Sequence, residues 1–259
     1  MRLVSWNIHG SVGADGRFDP DRVARMLARL EPDLVLLQEV GERYGKQTQV
    51  DQAELLAREL GMICAVGITV EAGPFGYGLA TLSRFPLLDA ETVDLSITGR
   101  EPRACLRVVT AIGVARLTLL NVHLGLAWGE RRRQLERMLR QDGPLGRPPA
   151  PMLLAGDFND WPPGRVTRLL GRHLVDVGLG RGRTFPARLP LFRLDRIYTG
   201  RGLRVTEYRV CDAQGASDHR PLFAEIVLVP EEIESTIEQP YSSSSELGEA
   251  NDFSRSSVR

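Results

Sequence analysis

The sequence predicts an α/β fold in which two mostly antiparallel sheets pack face to face and helices cover their outer faces. Strand-like and helix-like segments alternate along residues 1–61. Five short β-rich segments then follow one another over residues 62–123 with Gly, Pro or Arg between them, a spacing typical of an antiparallel sheet. The composition, with 42% hydrophobic and 25% charged residues, is that of a globular protein and excludes fully disordered and disulfide-scaffold classes.

The first predicted elements are two strands and two helices. A strand is predicted over residues 2–8. Asp19 and Pro20 then match an N-cap followed by proline at the first helical position, and the next apolar residues recur at helical spacing. Residues 33–40 form an almost continuous apolar segment, which predicts a strand buried on both faces. A second helix is predicted over residues 51–60 and ends at Gly61.

The remaining predicted elements are mostly strands. The β-rich segments predict strands over residues 63–70, 76–83, 88–95, 104–112 and 116–123. An Arg-rich helix is predicted over 130–141 and a short helix over 166–170, with a strand from residue 152 between them. Closing strands are predicted over 193–198, 203–210 and 221–229. Residues 1–230 are therefore expected to form one domain, and residues 231–259, acidic, Ser-rich and without aliphatic periodicity, a disordered tail.

Charge, cysteine spacing and hydropathy exclude several classes of protein. The 33 basic and 33 acidic residues give a formal net charge of zero, so the chain is not a global polycation that binds nucleic acid by counterion release. Its three cysteines have no CxxC or zinc-type spacing. No apolar stretch approaches the roughly 20 residues of a membrane helix, and no signal peptide is recognised. We expect a monomeric cytoplasmic protein without stable membrane insertion.

Polar residues suited to metal or phosphate binding follow apolar strand segments at six places. They are Asn7, Glu39, His123, Asp157 with Asn159, Asp195, and Asp218 with His219. Singly, each has a structural explanation, such as a turn for Asn7, a surface ion pair for Glu39 or a structural imidazole for His123. Because loops at strand ends expose side chains that a rigid sheet positions, the six places are together expected to converge on one cleft.

Three of these places carry a further physical argument. A buried Glu39 carboxylate needs a partner, and a divalent cation is a natural one. Asp157 and Asn159 are two residues apart, so in extended backbone they are expected to point the same way. Asp195 is a candidate to accept the ring N–H of His219, which is the orienting relation of catalytic triads.

The motifs that contain these residues resemble those of one family. They are SWN (5–7), LQE (37–39), NVH (121–123), GDFN (156–159), LDRI (194–197) and SDH (217–219). In this order they are similar to the endonuclease/exonuclease/phosphatase (DNase-like) superfamily, in a compact bacterial-type branch. The resemblance implies a four-layer α/β/β/α sandwich and a metal-dependent hydrolase of phosphate ester bonds. It covers all of the chain except the tail.

The resemblance also implies a role for each matching residue. The expected catalytic residues are His123, Asp157, Asn159, Asp195 and His219, and the expected metal ligands are Asn7, Glu39 and Asp218. In that scheme Asp157 activates the attacking water, and His219, oriented by Asp195, binds the scissile phosphate. Arg103 and His9 are expected substrate contacts, although a cross-strand ion pair explains Arg103 equally well. The implied cofactor is Mg²⁺, with Mn²⁺ as an alternative.

The expected function is phosphodiester hydrolysis, with a nucleic acid as the favoured substrate because no membrane-directed element is visible. Phospholipid, sphingomyelinase-like or inositol-phosphate hydrolysis is an alternative, and so is a non-catalytic binding scaffold on the same fold. His9 and His123 stand where AP endonucleases carry an acidic residue and an Asn, which argues against abasic-site repair. Arg131, Arg132 and Arg133 are interpreted as the solvated face of a helix, with a nucleic-acid contact as the alternative.

Overall fold

A computed structural model describes residues 1–41, 50–146, 151–162 and 164–229 of the chain. The strands are β1 (Arg2–Asn7), β2 (Leu34–Gly41), β3 (Ile63–Val70), β4 (Tyr77–Ser83), β5 (Leu87–Asp94), β6 (Ala104–Ile112), β7 (Ala115–His123), β8 (Met152–Asp157), β9 (Val175–Asp176), β10 (Asp195–Thr199), β11 (Leu203–Val210) and β12 (Leu222–Leu228). The helices are α1 (Pro20–Leu30), α2 (Gln52–Leu60), α3 (Trp128–Leu139) and α4 (Arg165–Leu170), with a single 3₁₀ turn at His9–Ser11. The expected tail, residues 231–259, lies outside the described residues.

The strands form two six-stranded sheets with the same internal plan. The first has the order β11-β12-β1-β2-β4-β3 and the second the order β5-β6-β7-β8-β10-β9. In each sheet a single parallel pair, β1 with β2 and β7 with β8, lies among antiparallel neighbours. The prediction of two mostly antiparallel sheets is therefore confirmed.

Side-chain alternation along the strands produces three apolar layers. Leu3, Leu36 and Leu119 lie between the two sheets. Their chain neighbours face outward: Leu37 packs with α1 and α2, and Leu120 packs with α3 and α4. The α/β/β/α layering is thus confirmed, with one core between the sheets and one under each helical layer.

The helix boundaries follow from capping, with one correction. Asp19 and Asp51 accept hydrogen bonds from backbone N–H groups in the first turns of α1 and α2, at 2.8 and 3.0 Å. The Arg-rich helix covers residues 128–139 rather than 130–141. It begins earlier because the Glu130 carboxylate accepts from the N–H of the N-cap Ala127 at 3.4 Å, and it ends earlier because the C-cap Arg140 has extended backbone. The two-residue strand β9 was not predicted, since two residues carry no detectable alternation.

One edge of the sandwich collects the polar strand ends. In β1, β2, β7 and β8, the side chains that face the other sheet are apolar at the beginning of the strand. At the carboxyl end of each strand the inward-facing side chains are polar. These are Asn7, Gln38, Asn121 with His123, and Asp157, all of them buried. Among the described residues, no helix is long and apolar enough to cross a membrane.

Candidate active site

The Asn7 side chain connects the two sheets at this edge. Its amide Nδ2 donates to Glu39 Oε1 at 2.9 Å and to Asp157 Oδ2 at 3.1 Å. Glu39 belongs to the first sheet and Asp157 to the second. The two carboxylates predicted to share a cleft therefore contact the same amide group, and His123 Nε2 lies 3.9 Å from Glu39 and 3.6 Å from Asp157.

A β-bulge brings Glu39 into this arrangement. The pairing of β2 with β4 shifts register between Gln38 and Val40, and Glu39 takes a left-handed backbone conformation with φ +55°. In a regular strand, the residue after the inward-facing Gln38 would point to the helical layer, where Val40 in fact packs. The bulge therefore accounts for a carboxylate inside the cleft, at the cost of a strained backbone.

A turn after β8, and not extended backbone, brings Asp157 and Asn159 together. Strand β8 ends at Asp157, and Asn159 has φ +46°, so the expectation of two side chains aligned along one strand was wrong. The Asn159 N–H donates to Asp157 Oδ1 at 2.9 Å. Its side-chain Nδ2 donates to the Leu124 carbonyl at 3.0 Å and lies 3.1 Å from His123 Nε2. The turn thus joins the loops after β7 and β8.

His219 is fixed on three sides. Its Nδ1 lies 2.9 Å from Asp195 Oδ2, and its backbone carbonyl accepts from Trp6 Nε1 at 2.9 Å. The Phe185 ring stands 4.8 Å from the imidazole, centroid to centroid. Because Nδ1 is turned to Asp195, Nε2 faces the cleft, 3.8 Å from Asp157 Oδ2. The Phe185 ring is thus in contact with a predicted catalytic residue.

The acidic and imidazole groups shift one another's pKa values. Burial disfavours the Glu39 carboxylate, but the His123 imidazole and the Asn7 amide outweigh burial and lower the Glu39 pKa to about 2. Burial raises the Asp157 pKa to about 6, with His219 opposing and Asp195 adding to the rise. Burial alone would lower the His219 pKa, yet Asp195 and Asp157 raise it to about 10. At neutral pH the site therefore combines an anionic Glu39 with a cationic His219.

The donor set fits a hard divalent cation. Glu39 and Asp157 offer carboxylate oxygens within reach of one amide, and no arginine of the described residues forms an ion pair with either. A buried group of Asp157, Asp195 and His219 also has its ligand atoms within 4.8 Å of one another. In that group His219 Nδ1 is already engaged with Asp195, which leaves the carboxylate oxygens of the cleft as the groups suited to a hard cation.

Of the two predicted substrate contacts, His9 lies at the rim and Arg103 is buried. The His9 N–H donates to Asn7 Oδ1 at 3.1 Å, and its ring Nδ1 stands 3.8 Å from the half-exposed Asp218 carboxylate. Arg103 lines a small pocket together with His123, and its guanidinium is paired with Glu101 at 2.9 Å. That ion pair joins residues two apart in one loop, so it does not cross strands as the alternative for Arg103 assumed.

Sequence reasoning missed the buried polar residues behind the site. Arg131 is only 5% exposed, so the interpretation of residues 131–133 as one solvated face is wrong at this position, while Arg132 and Arg133 are exposed. Asp160, directly after Asn159, is buried as well, 3.7 Å from Arg131. The available signal was the position of Arg131 at the start of a helix, within one turn of the inward-facing Leu135.

Comparison with known proteins agrees with this geometry. The family model described as "Endonuclease/Exonuclease/phosphatase family" matches residues 4–219. The chain belongs to this family. Members of the endonuclease/exonuclease/phosphatase family hydrolyse phosphate esters and depend on divalent metal ions. The present chain groups Asp157, Asp195 and His219 in its interior.

Relatives and solved structures extend the comparison. The uncharacterized protein YbhP of Escherichia coli is 32% identical over 253 residues, which covers 88% of this chain and 96% of that protein. A family structure from Beutenbergia cavernae has a TM-score of 0.73 at 23% identity and covers 88% of this chain and 71% of that one. A mannosyl-6-phosphatase from Bacteroides thetaiotaomicron has a TM-score of 0.73 at 18% identity, covering 88% and 100%. At these identities the structures show a shared fold.

Proposed function

We propose that the protein is a Mg²⁺-dependent phosphodiesterase that hydrolyses its substrate by direct attack of water. The observation that carries the proposal is the contact of one amide group, that of Asn7, with Glu39 and Asp157 from opposite sheets. Glu39, with Asp218 at the rim, offers the carboxylate oxygens that would hold the cation; Asn7 would join them through Oδ1, which requires its amide to turn from the orientation in which Nδ2 donates to Glu39. When bound, the cation would withdraw charge from the phosphoryl oxygens, as metal ions do in phosphate hydrolysis.

The chain's own groups account for the proton transfers. Asp157 takes a proton from the attacking water while the water oxygen forms its bond to phosphorus, and its pKa of about 6 suits a base near neutral pH. Cationic His219, held through Nδ1 by Asp195, presents Nε2 to the phosphate oxygens. The phosphorus–oxygen bond to the leaving group then breaks as His123 Nε2 gives a proton to the departing oxygen, after which Nε2 is free to accept from the Asn159 amide 3.1 Å away.

A nucleic acid is the proposed substrate. Three exposed arginines, Arg181, Arg183 and Arg188, lie on the segment around Phe185, whose ring contacts His219. Arginine guanidinium groups match the geometry of backbone phosphates. This arrangement supports a polyanionic strand that extends beyond the scissile phosphate.

A lipid phosphodiester is the second candidate, and a specific observation favours it. Leu126, three residues after His123, is exposed, and so are Leu189 and Leu191 between the paired Phe185 and Phe192. Exposed apolar side chains beside a catalytic cleft are typical of surfaces that meet apolar ligands or membranes. Sugar phosphates are included among the substrates to be tested because one structure of the same fold is a mannosyl-6-phosphatase.

The proposed chemistry is tested with bis(4-nitrophenyl) phosphate in the presence of Mg²⁺ or Mn²⁺. We expect hydrolysis that requires the cation and that Asp157→Asn lowers by about 10³-fold or more, because the variant lacks the base. Asp212→Asn, an exposed aspartate outside the cleft, is the matched control and is expected to retain activity. Absence of turnover with both cations in the unmodified protein would favour a binding scaffold.

The substrate is tested separately, with plasmid DNA, RNA, phospholipid vesicles, inositol phosphates and mannose 6-phosphate side by side. The proposal expects the highest kcat/KM on DNA or RNA. Turnover confined to vesicles would replace it with the lipid candidate, and turnover confined to monoesters would replace phosphodiesterase with phosphatase.

A further inference from the structure

The first turns of helix α3 hold the loop that follows His123 by three buried polar side chains. Gln134 Oε1 accepts from the Gly125 N–H at 2.9 Å, and Glu130 accepts from the Ala127 N–H at 3.4 Å. Arg131 Nη1 donates to the Gly125 carbonyl at 3.1 Å and also to the Leu126 carbonyl. The backbone polar groups of this loop are thus bound to α3 instead of to solvent.

The same guanidinium also faces the loop that follows β8. Arg131 Nε lies 3.7 Å from Asp160 Oδ1, and Asp160 Oδ2 accepts from the Thr167 N–H of α4 at 2.9 Å. Asp160 directly follows Asn159, whose side chain lies 3.1 Å from His123 Nε2. Arg131 therefore stands between the loop that follows His123 and the loop that carries Asn159, and it contacts both.

Stability alone is a poor explanation for a guanidinium in this place. Arg131 and Asp160 are 5% and 2% exposed, and removing two such charges from water costs more than packing apolar side chains of similar size. Arg131 Nε makes no hydrogen bond within the described residues, so the pair is incompletely compensated even in the folded chain. A group with this cost is better explained by the geometry that it imposes.

We infer that Arg131 is a positioning residue, which sets the distance between His123 and Asn159 so that His123 addresses the leaving-group oxygen with the Asn159 amide beside its Nε2. It does not itself touch the substrate. The inference rests on the proposed function, because it assigns the leaving-group side of the cleft to these two residues. Three contacts carry it: Arg131 with the Gly125 carbonyl, Arg131 with Asp160, and Asn159 with His123.

The test is a series of aryl methyl phosphates whose leaving phenols differ in acidity, assayed with Arg131→Met and with Arg132→Met as the exposed control on the same helix. Donation to the leaving oxygen matters most for poor leaving groups. Arg131→Met is therefore expected to lower kcat by about tenfold for 4-nitrophenolate and by about 10²-fold or more for phenolate. The KM values and the half-saturating cation concentration are expected to change by no more than about twofold. Arg132→Met is expected to behave as the unmodified protein.

Two further variants keep the inference falsifiable if Arg131→Met fails to fold. Asp160→Asn still accepts from Thr167 but loses the charge, and it is expected to reproduce the leaving-group dependence. Arg131→Lys keeps the positive charge but lacks the planar set of guanidinium donors. It is expected to recover part of the kcat that Arg131→Met loses. An equal loss for all leaving groups, or a crystal structure of Arg131→Met in which His123 and Asn159 are still in contact, would overturn the inference. If the unmodified protein hydrolyses no ester with either cation, the proposed function is wrong. The crystal structure of Arg131→Met would still show whether Arg131 positions His123 and Asn159.

Discussion

The imidazole of His219 shows how single residues set the charge of the site. It is buried, yet the carboxylates of Asp195 and Asp157 more than compensate for the burial and raise its pKa from 6.5 to about 10. Of the two, Asp195 makes the direct contact, 2.9 Å from Nδ1. Replacement of this one carboxylate should therefore lower the pKa of His219 and leave its imidazole less firmly oriented in the cleft.

The stability of the Asp195→Asn variant has a defined pH dependence. Because the folded pKa of His219 is raised above 6.5, its contribution to the free energy of unfolding is complete below pH 6.5 and is lost as the pH rises through about 10. We expect Asp195→Asn to unfold more easily at a pH of about 6, by about 1.5–3 kcal/mol for a hydrogen bond to a charged group. The deficit should shrink toward pH 10.

Urea unfolding in EDTA at several pH values measures this difference, with Asp212→Asn as the exposed control. EDTA is needed because a bound cation would itself change the local pKa values. A deficit that stays constant between the two pH limits would show that Asp195 does not act through the proton on His219.

At the scale of the elements, the end of strand β8 depends on a glycine in a crowded place. Gly156 has φ +146°, and a Cβ on it would lie 1.9 Å from the Val122 carbonyl of the neighbouring strand β7. Gly61, at the end of α2, has φ +63° with nothing within 4 Å of the same position. Substitution at Gly61 therefore tests backbone strain alone, whereas substitution at Gly156 adds the effect of the close approach to Val122.

Alanine at these two glycines should therefore give different results. Gly61→Ala is expected to lower the free energy of unfolding by about 1–2 kcal/mol, the cost of a left-handed conformation. Gly156→Ala is expected to lower it by about 3 kcal/mol or more, because β7 and β8 would have to separate. Chemical denaturation measures both, and equal losses would mean that the close approach to Val122 is relaxed at little cost.

The elements also show which parts of the site the sequence could predict. The sequence predicted which residues form the site and that they lie at strand ends, because polar residues that follow apolar strand segments are visible in the sequence. The bulge at Glu39 and the turn at Asn159 were not, since each depends on a left-handed backbone that non-glycine residues seldom adopt. The inward orientation of Arg131 was missed because an arginine in a run of three is usually solvent-facing, and its spacing from Leu135 was the one local sign that it lies on the buried face of α3.

At the scale of the molecule, the sandwich itself was the most predictable feature. Period-two alternation in the long strands fixes which side chains lie between the sheets, as Leu3, Leu36 and Leu119 show. The order of strands in each sheet is a matter of contacts between distant segments, and no local pattern encodes it. The pairing of β1 with β12, which links the two ends of the folded domain, is of this kind.

The cation proposed for the cleft would be held by groups that only the folded chain brings together, so its binding should be visible in the stability of the protein. Asn7 ends β1, Glu39 lies in β2 and Asp218 precedes β12, and unfolding would separate them. A ligand that binds only the folded chain raises the free energy of unfolding by about 2.7 kcal/mol at a hundred times its Kd. Mg²⁺ or Mn²⁺ is accordingly expected to raise the thermal midpoint, and Glu39→Gln is expected to lose most of that increase. Glu54→Gln, exposed in the first turn of α2, is the matched control and should keep it. An equal rise in both variants would place the cation away from Glu39, and the measurement needs no catalytic turnover.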